Sequence, residues 1–174
     1  MRKFVWIVAG VLCVCGVGAA QAADELYIQA GDLTRPAGAH SPSDIEIGAG
    51  WDLPWQWLDH HLVTRIEAGA GYDNAKLADV WRVVVTPVLR YRFNGEQSNG
   101  VFVEAGIGPA YIDHTVWSTG HDMGSHALFQ DRLSVGYTAG TNEVSLGLTH
   151  LSSAGLKEPN PGAEIVDLRY AHRF

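Results

Sequence analysis

The stretch Trp81-Arg82-Val83-Val84-Val85-Thr86-Pro87-Val88-Leu89-Arg90-Tyr91-Arg92-Phe93 decides the fold. Its odd-numbered residues are all apolar, whereas the even-numbered ones are Arg82, Val84, Thr86, Val88, Arg90 and Arg92. Successive side chains of a strand point to opposite faces, so this pattern makes one greasy face and one partly charged face. Val101, Val103, Ala105, Ile107, Pro109 and Tyr111 repeat it against Phe102, Glu104, Gly106, Gly108 and Ala110. So do Leu62, Ile66, Ala68, Ala70 and Tyr72, interrupted by Thr64, against Val63, Arg65, Glu67, Gly69 and Gly71. A soluble sandwich also alternates. Here, however, the polar parity is ionised or tiny, as suits a narrow lumen, and Tyr72, Tyr91, Phe93, Tyr111 and Tyr137 supply aromatic girdles to the apolar face.

Outward from that stretch, eight runs follow one another: 25–32, 43–53, 61–73, 79–93, 101–112, 126–138, 142–152 and 164–174. Most run for about 9 to 13 residues, which suits a tilted spanning strand, and an even count is what single-chain bacterial barrels have. The pattern predicts an all-β protein, an eight-stranded antiparallel transmembrane β-barrel. With both termini on the periplasmic side, the connections 94–100 and 139–141 are periplasmic and short, while 113–125 and 153–163 face outside and are longer. Pro54-Trp55-Gln56-Trp57-Leu58 fits least well, being apolar where a short turn is expected. No stretch after the first 22 residues approaches 18 apolar residues, so helical spans are not expected.

The chain has 174 residues, 47% hydrophobic and 18% charged, enough for one domain. Met1-Arg2-Lys3, the uncharged run Phe4 to Ala20 and the small-x-small site Ala20-Gln21-Ala22 read as a secretory signal peptide over 1–22, leaving a barrel domain over 23–174. Both cysteines, Cys13 and Cys15, fall in the leader, which withdraws disulfides, Cys-ligated metals and Cys nucleophiles from the rest. Leu12 and Val14 precede them, unlike the small residue a lipoprotein acceptor needs. Without Arg2 and Lys3, ten basic residues stand against 19 acidic ones. That balance argues against a nucleic-acid partner.

Polar residues break the apolar stripe near the end of the chain. The seventh run reads Val144, Leu146, Leu148, then His150 and Ser152; the eighth opens its stripe with Glu164 before Val166, Leu168 and Tyr170. The parities of 150, 152 and 164 suit antiparallel pairing, where opposed residues lie about 4.5–5.5 Å apart and diagonal ones about 7–8 Å. Serine is a weak nucleophile until an imidazole takes its proton, and the imidazole needs a carboxylate to fix its tautomer. The bland reading stays beside this one: all three sit at headgroup level, where ionisable residues cost little.

The segment His150-Leu151-Ser152-Ser153-Ala154-Gly155-Leu156-Lys157-Glu158-Pro159-Asn160-Pro161-Gly162-Ala163-Glu164 resembles the active-site segment of the lipid A 3-O-deacylase (PagL) family. Phe129-Gln130-Asp131-Arg132-Leu133 resembles that family's sixth strand, and the aromatic end Phe174 its terminal signature, although His172 departs from the apolar residue expected there. The resemblance implies an outer-membrane ester hydrolase that removes the hydroxyacyl chain at position 3 of lipid A, the anchor of lipopolysaccharide, using a lipid-facing triad. It implies Ser152 as nucleophile, His150 as base then acid, Glu164 as orienter, and Asn160 with backbone donors around Gly155 as oxyanion holders. The family often has Asn after the serine; this chain has Ser153.

Other candidates carry less. Asp59-His60-His61 and His114 with His121-Asp122 have ligand residue types without a recognised spacing, so no metal and no cofactor is expected. The Gly-x-Gly pairs at 48/50, 69/71 and 106/108 have inward parity and make room in the lumen. Arg65, Glu67, Arg82, Arg90 and Glu104 are expected to form an interior ion-pair network rather than a pore. Two rivals stay open: a non-enzymatic barrel acting as an anchor or adhesin, and a soluble lipid-binding barrel with its greasy parity inside. Homodimer formation is equally open.

Overall fold

The structure, a computed structural model, describes residues 22–95 and 99–174. The signal-peptide reading of 1–22, Cys13 and Cys15 thus falls outside the described residues except for Ala22. In chain order the strands are β1 (Glu25–Arg35), β2 (Asp44–Trp57), β3 (Leu62–Asn74), β4 (Asp79–Arg92), β5 (Asn99–Ile112), the short pair β6 (Val116–Ser118) and β7 (His121–Asp122), then β8 (Ala127–Ala139), β9 (Asn142–Ser152) and β10 (Ala163–Arg173). Eight of them close a barrel in the order β1-β10-β9-β8-β5-β4-β3-β2, every pairing antiparallel.

The two parities separate as the sequence predicts. Leu146 and Leu168 point outward and are more than half exposed, whereas Arg82, Arg90 and Arg169 point inward and are at most 3% exposed. A soluble barrel with an apolar interior is therefore excluded: this lumen is polar and its outer wall apolar. Removing ions from water is costly, and the interior offsets that cost by cross-strand pairing. Arg82 binds Asp44, Glu46 and Asp73 at 2.6–3.0 Å; Arg90 binds Glu104 and Glu143 at 2.7–2.8 Å; Arg169 binds Glu25 and Glu67 at 2.7 Å. The Arg169 guanidinium also lies 3.6 Å from the Tyr27 ring centroid, and the Tyr27 hydroxyl donates to Glu46 at 2.8 Å. Gly48 makes room for that ring, because a Cβ there would strike Tyr27.

One segment corrects the sequence reading. Pro54 to Trp57 is not a turn but the end of β2, which resumes pairing at Gln56↔Val63 after a register shift beyond Asp52. The bulge lets the strand run on and leaves Trp55 and Trp57 exposed at the rim that holds the chain termini, where Leu62 pairs with both Trp57 and Tyr91. The turn itself is shorter, with Leu58, Asp59 and His60 at positive φ.

At the opposite rim, the connection 113–126 folds back as the β6–β7 hairpin. Trp117 and Met123, both fully buried, join Leu33, Val80, Ile112, Leu151 and Ile165 in an apolar plug across the mouth. Burying a side chain such as Met123 stabilises by about 1.5–3 kcal/mol. The Leu77 N–H, from the connection between β3 and β4, donates to the Trp117 carbonyl at 3.0 Å and pins the hairpin in place, while the Trp117 indole N–H donates to the His114 carbonyl within the hairpin segment itself, also at 3.0 Å.

Candidate active site

The β9–β10 ladder puts His150 directly across from Glu164, and the β8–β9 ladder puts His150 across from Asp131. On the far side of β10, Glu164 is opposite Arg35, with a nitrogen–oxygen separation of 3.8 Å. Four neighbouring strands thus carry one ionisable row: Arg35, Glu164, His150, Asp131. His150 keeps the parity of the exposed Leu146 and Leu148, while Thr149 and Leu151 on the other parity are fully buried. Sequence parity allowed Glu164 to face either His150 or Ser152; the structure sets it opposite His150, and Ser152 follows as the last residue of β9. Among the described residues no hydrogen bond joins the His150 ring to Ser152 or Glu164. Such contacts commonly tighten only when substrate binds.

The connection 153–162 folds over Ser152, which is only 9% exposed. The Ser153 N–H donates to Asn160 Oδ1 at 2.8 Å and the Ser153 hydroxyl to the Lys157 carbonyl at 2.9 Å. Ser153, nearly fully buried, therefore fastens the loop. Because Asn160 accepts through its oxygen, its NH2 group is turned to other partners. The Ala154 N–H donates to the Ser152 hydroxyl oxygen at 3.3 Å. Gly155 is exposed at the loop's tip with φ of 74°, a left-handed conformation that only glycine adopts cheaply.

Three features escaped the sequence reading. Gly162, at φ 69°, packs so close to the imidazole that a Cβ there would lie 2.7 Å from His150 Cε1. Gly124 in the hairpin abuts the Pro159 carbonyl, whose oxygen a Cβ placed there would strike. Asp131 completes the row and has one carboxylate oxygen, Oδ1, buried without a hydrogen-bond partner among the described residues. The available signals were weak: a Gly after Pro161, and two large apolar residues, Trp117 and Met123, in an otherwise polar connection. The metal candidates do not converge. His61 stacks on Tyr91 and bonds the Arg92 carbonyl at the termini rim, while His114 and His121 belong to the other rim.

Comparison with known proteins concerns the chain as a whole. The sequence model of the family described as lipid A 3-O-deacylase (PagL) matches residues 45–173. The lipid A deacylase PagL of Pseudomonas aeruginosa is 33% identical over 150 residues, covering 82% of this chain and 86% of that protein. The lipid A deacylase PagL of Bordetella bronchiseptica is 34% identical over 113 residues, 62% of this chain and 61% of the relative's length. The crystal structure of the outer membrane enzyme PagL superposes with a TM-score of 0.75 at 28% identity, covering 86% of this chain and 99% of that one. Neisserial surface protein A, at 11% identity and a TM-score of 0.50, shares the fold alone. A match across most of the barrel, including the strands β9 and β10 that carry His150 and Glu164, settles the relationship: this chain belongs to the lipid A 3-O-deacylase (PagL) family.

Proposed function

We propose that this chain hydrolyses the ester-linked hydroxyacyl chain at position 3 of lipid A in the outer membrane, with Ser152, His150 and Glu164 as a triad on the outer wall of the barrel. The observation that carries it is the register His150↔Glu164, which sets a carboxylate beside an imidazole two residues from a serine, on the parity of the apolar stripe. In this reading Ser152 Oγ attacks the ester carbonyl while His150 takes its proton, and Glu164 holds the imidazole and offsets its charge. The carbonyl oxygen becomes an oxyanion, stabilised by the Asn160 NH2 group and a backbone N–H near Gly155; each such donor is worth about 3–4 kcal/mol in a water-poor site. Collapse breaks the bond to the sugar oxygen, which receives the proton from His150. Water then hydrolyses the acyl-enzyme by the reverse sequence of proton transfers.

The location suits the substrate. A lipid in the outer leaflet reaches the outer wall by lateral diffusion, so the lumen, closed by ion pairs and the apolar plug, has no need to open. Incubating the refolded protein in detergent with a lipophilic organophosphonate tests the reading. Peptide mass spectrometry is expected to find the adduct on Ser152, and His150→Ala is expected to suppress it. Adducts elsewhere, or labelling indifferent to His150, would overturn the triad.

A further inference from the structure

An open cleft of about 540 Å³ lies between the β6–β7 hairpin and the 153–162 connection, lined by Val116, Ser118, His121, Asp122, Glu158 and Asn160, among others. Its volume is in the range of about 300–1,000 Å³ typical of small-molecule sites. We infer that this cavity is a carbohydrate subsite that seats the glucosamine ring bearing the scissile ester, by hydrogen bonds to its hydroxyl and amide groups. The inference rests on the deacylase reading of Ser152.

Geometry supplies the first reason. Asn160 lines the cavity and also accepts the Ser153 N–H at 2.8 Å, so cavity and nucleophile share one loop. An ester has two sides. Its acyl chain belongs along the apolar stripe of Leu146, Leu148, Val166 and Leu168, which leaves the sugar side toward the loops, where the cavity opens.

Chemistry supplies the second. The lining holds a hydroxyl, an imidazole, a carboxamide and two carboxylates, and no Lys or Arg is among the described residues that line it. Asp122 accepts the Gly124 N–H at 2.9 Å, which keeps its carboxyl below the usual range and therefore anionic. Such a lining accepts hydrogen bonds from neutral hydroxyls and repels phosphate. His121 Nε2 is buried without a hydrogen-bond partner among the described residues. A buried polar atom in that state costs free energy until something binds it, and a sugar hydroxyl is a suitable partner. Burial also pulls the His121 imidazole below its usual range, so the ring is neutral when a sugar arrives.

The third reason is rigidity. Trp117 and Met123 anchor the hairpin in the barrel mouth, so the cavity wall is fixed before substrate arrives.

The test compares two substrates on the refolded full barrel: a 3-O-hydroxyacylated, N-acylated glucosamine lipid, and a 4-nitrophenyl hydroxyacyl ester that lacks the sugar. Ser118→Trp fills the cavity, and His121→Phe removes its ring nitrogens; heat-modifiable migration verifies folding of each. Both variants are expected to raise KM for the sugar lipid about tenfold, with kinetics on the nitrophenyl ester unchanged. The same rise is expected whether or not the sugar carries phosphate. Equal losses on both esters, no change on either, or a loss confined to the phosphorylated lipid would each overturn the subsite. Failure of the wild-type protein to cleave either ester is a different result, because it would overturn the deacylase reading itself.

Discussion

The lumen and the outward row at the loop rim use the same residue types to opposite ends. Inside, Arg82 has three carboxylate partners within 3.0 Å and is shut off from solvent. Outside, Glu164 has an arginine no nearer than 3.8 Å, its side chain is 41% exposed, and the imidazole beside it is held by packing against Gly162. A charge ringed by opposite charges and shut off from solvent is committed to structure. One with spare bonding capacity, next to an ionisable neighbour, can act on something that arrives. The contrast separates stability from chemistry within a barrel whose two faces are one residue apart in sequence.

Mutations should separate them in the same way. His150→Ala in the outward row is expected to lower kcat by at least about 10⁴-fold, since nucleophile and base act as a unit. Its urea midpoint should match wild type within error; a large stability loss would instead make the row structural. Arg82→Leu reverses the pattern. Leaving Asp44, Glu46 and Asp73 without their cation is expected to cost about 3–5 kcal/mol in urea unfolding from detergent, with turnover per folded molecule intact.

Gly162→Ala should register on both scales, because it meets an unfavourable φ and crowds the ring of His150. A stability cost of about 1–2 kcal/mol and a kcat about tenfold lower are expected. A kcat at the wild-type level would show that Gly162 shapes only the turn. The smallest effect concerns the hairpin. The Gly124 N–H holds the Asp122 carboxyl below the usual aspartate range, so it titrates at lower pH in the folded protein than in the unfolded chain. Its contribution to the hairpin is therefore present above the unfolded value and lost as pH falls through the lower, folded one. Protection of the Gly124 amide, taken relative to the intrinsic exchange rate at each pH, should fall only in that acid range; protection that is flat with pH would remove Asp122 from the hairpin's support.

Much of this was legible in the sequence because a barrel wall has period two, and each strand's hydrophobic alternation fixes both its inward face and the register parity of its neighbours. Parity allowed Glu164 to face His150 or Ser152, and the register seats it opposite His150. The end of β2 did not follow from parity, since a bulge after Asp52 breaks it and makes Pro54 to Trp57 look like a misplaced turn. The hairpin was hidden for another reason. Trp117 and Met123 become core only when the connection folds back over the mouth, a tertiary event with no periodic trace. Ser153 shows a third limit: its residue type suggested a departure at the site, whereas its two hydrogen bonds make it the fastener of the loop.

The central claim is that Ser152 is the nucleophile acting on lipid A from the barrel's exterior. Mass spectra of lipid A from cells expressing the wild-type chain or Ser152→Ala, each shown to be folded by its gel migration, test it most directly. The wild-type chain should yield lipid A lacking one ester-linked hydroxyacyl chain, and Ser152→Ala should leave it intact. Equal deacylation by both proteins would contradict the account.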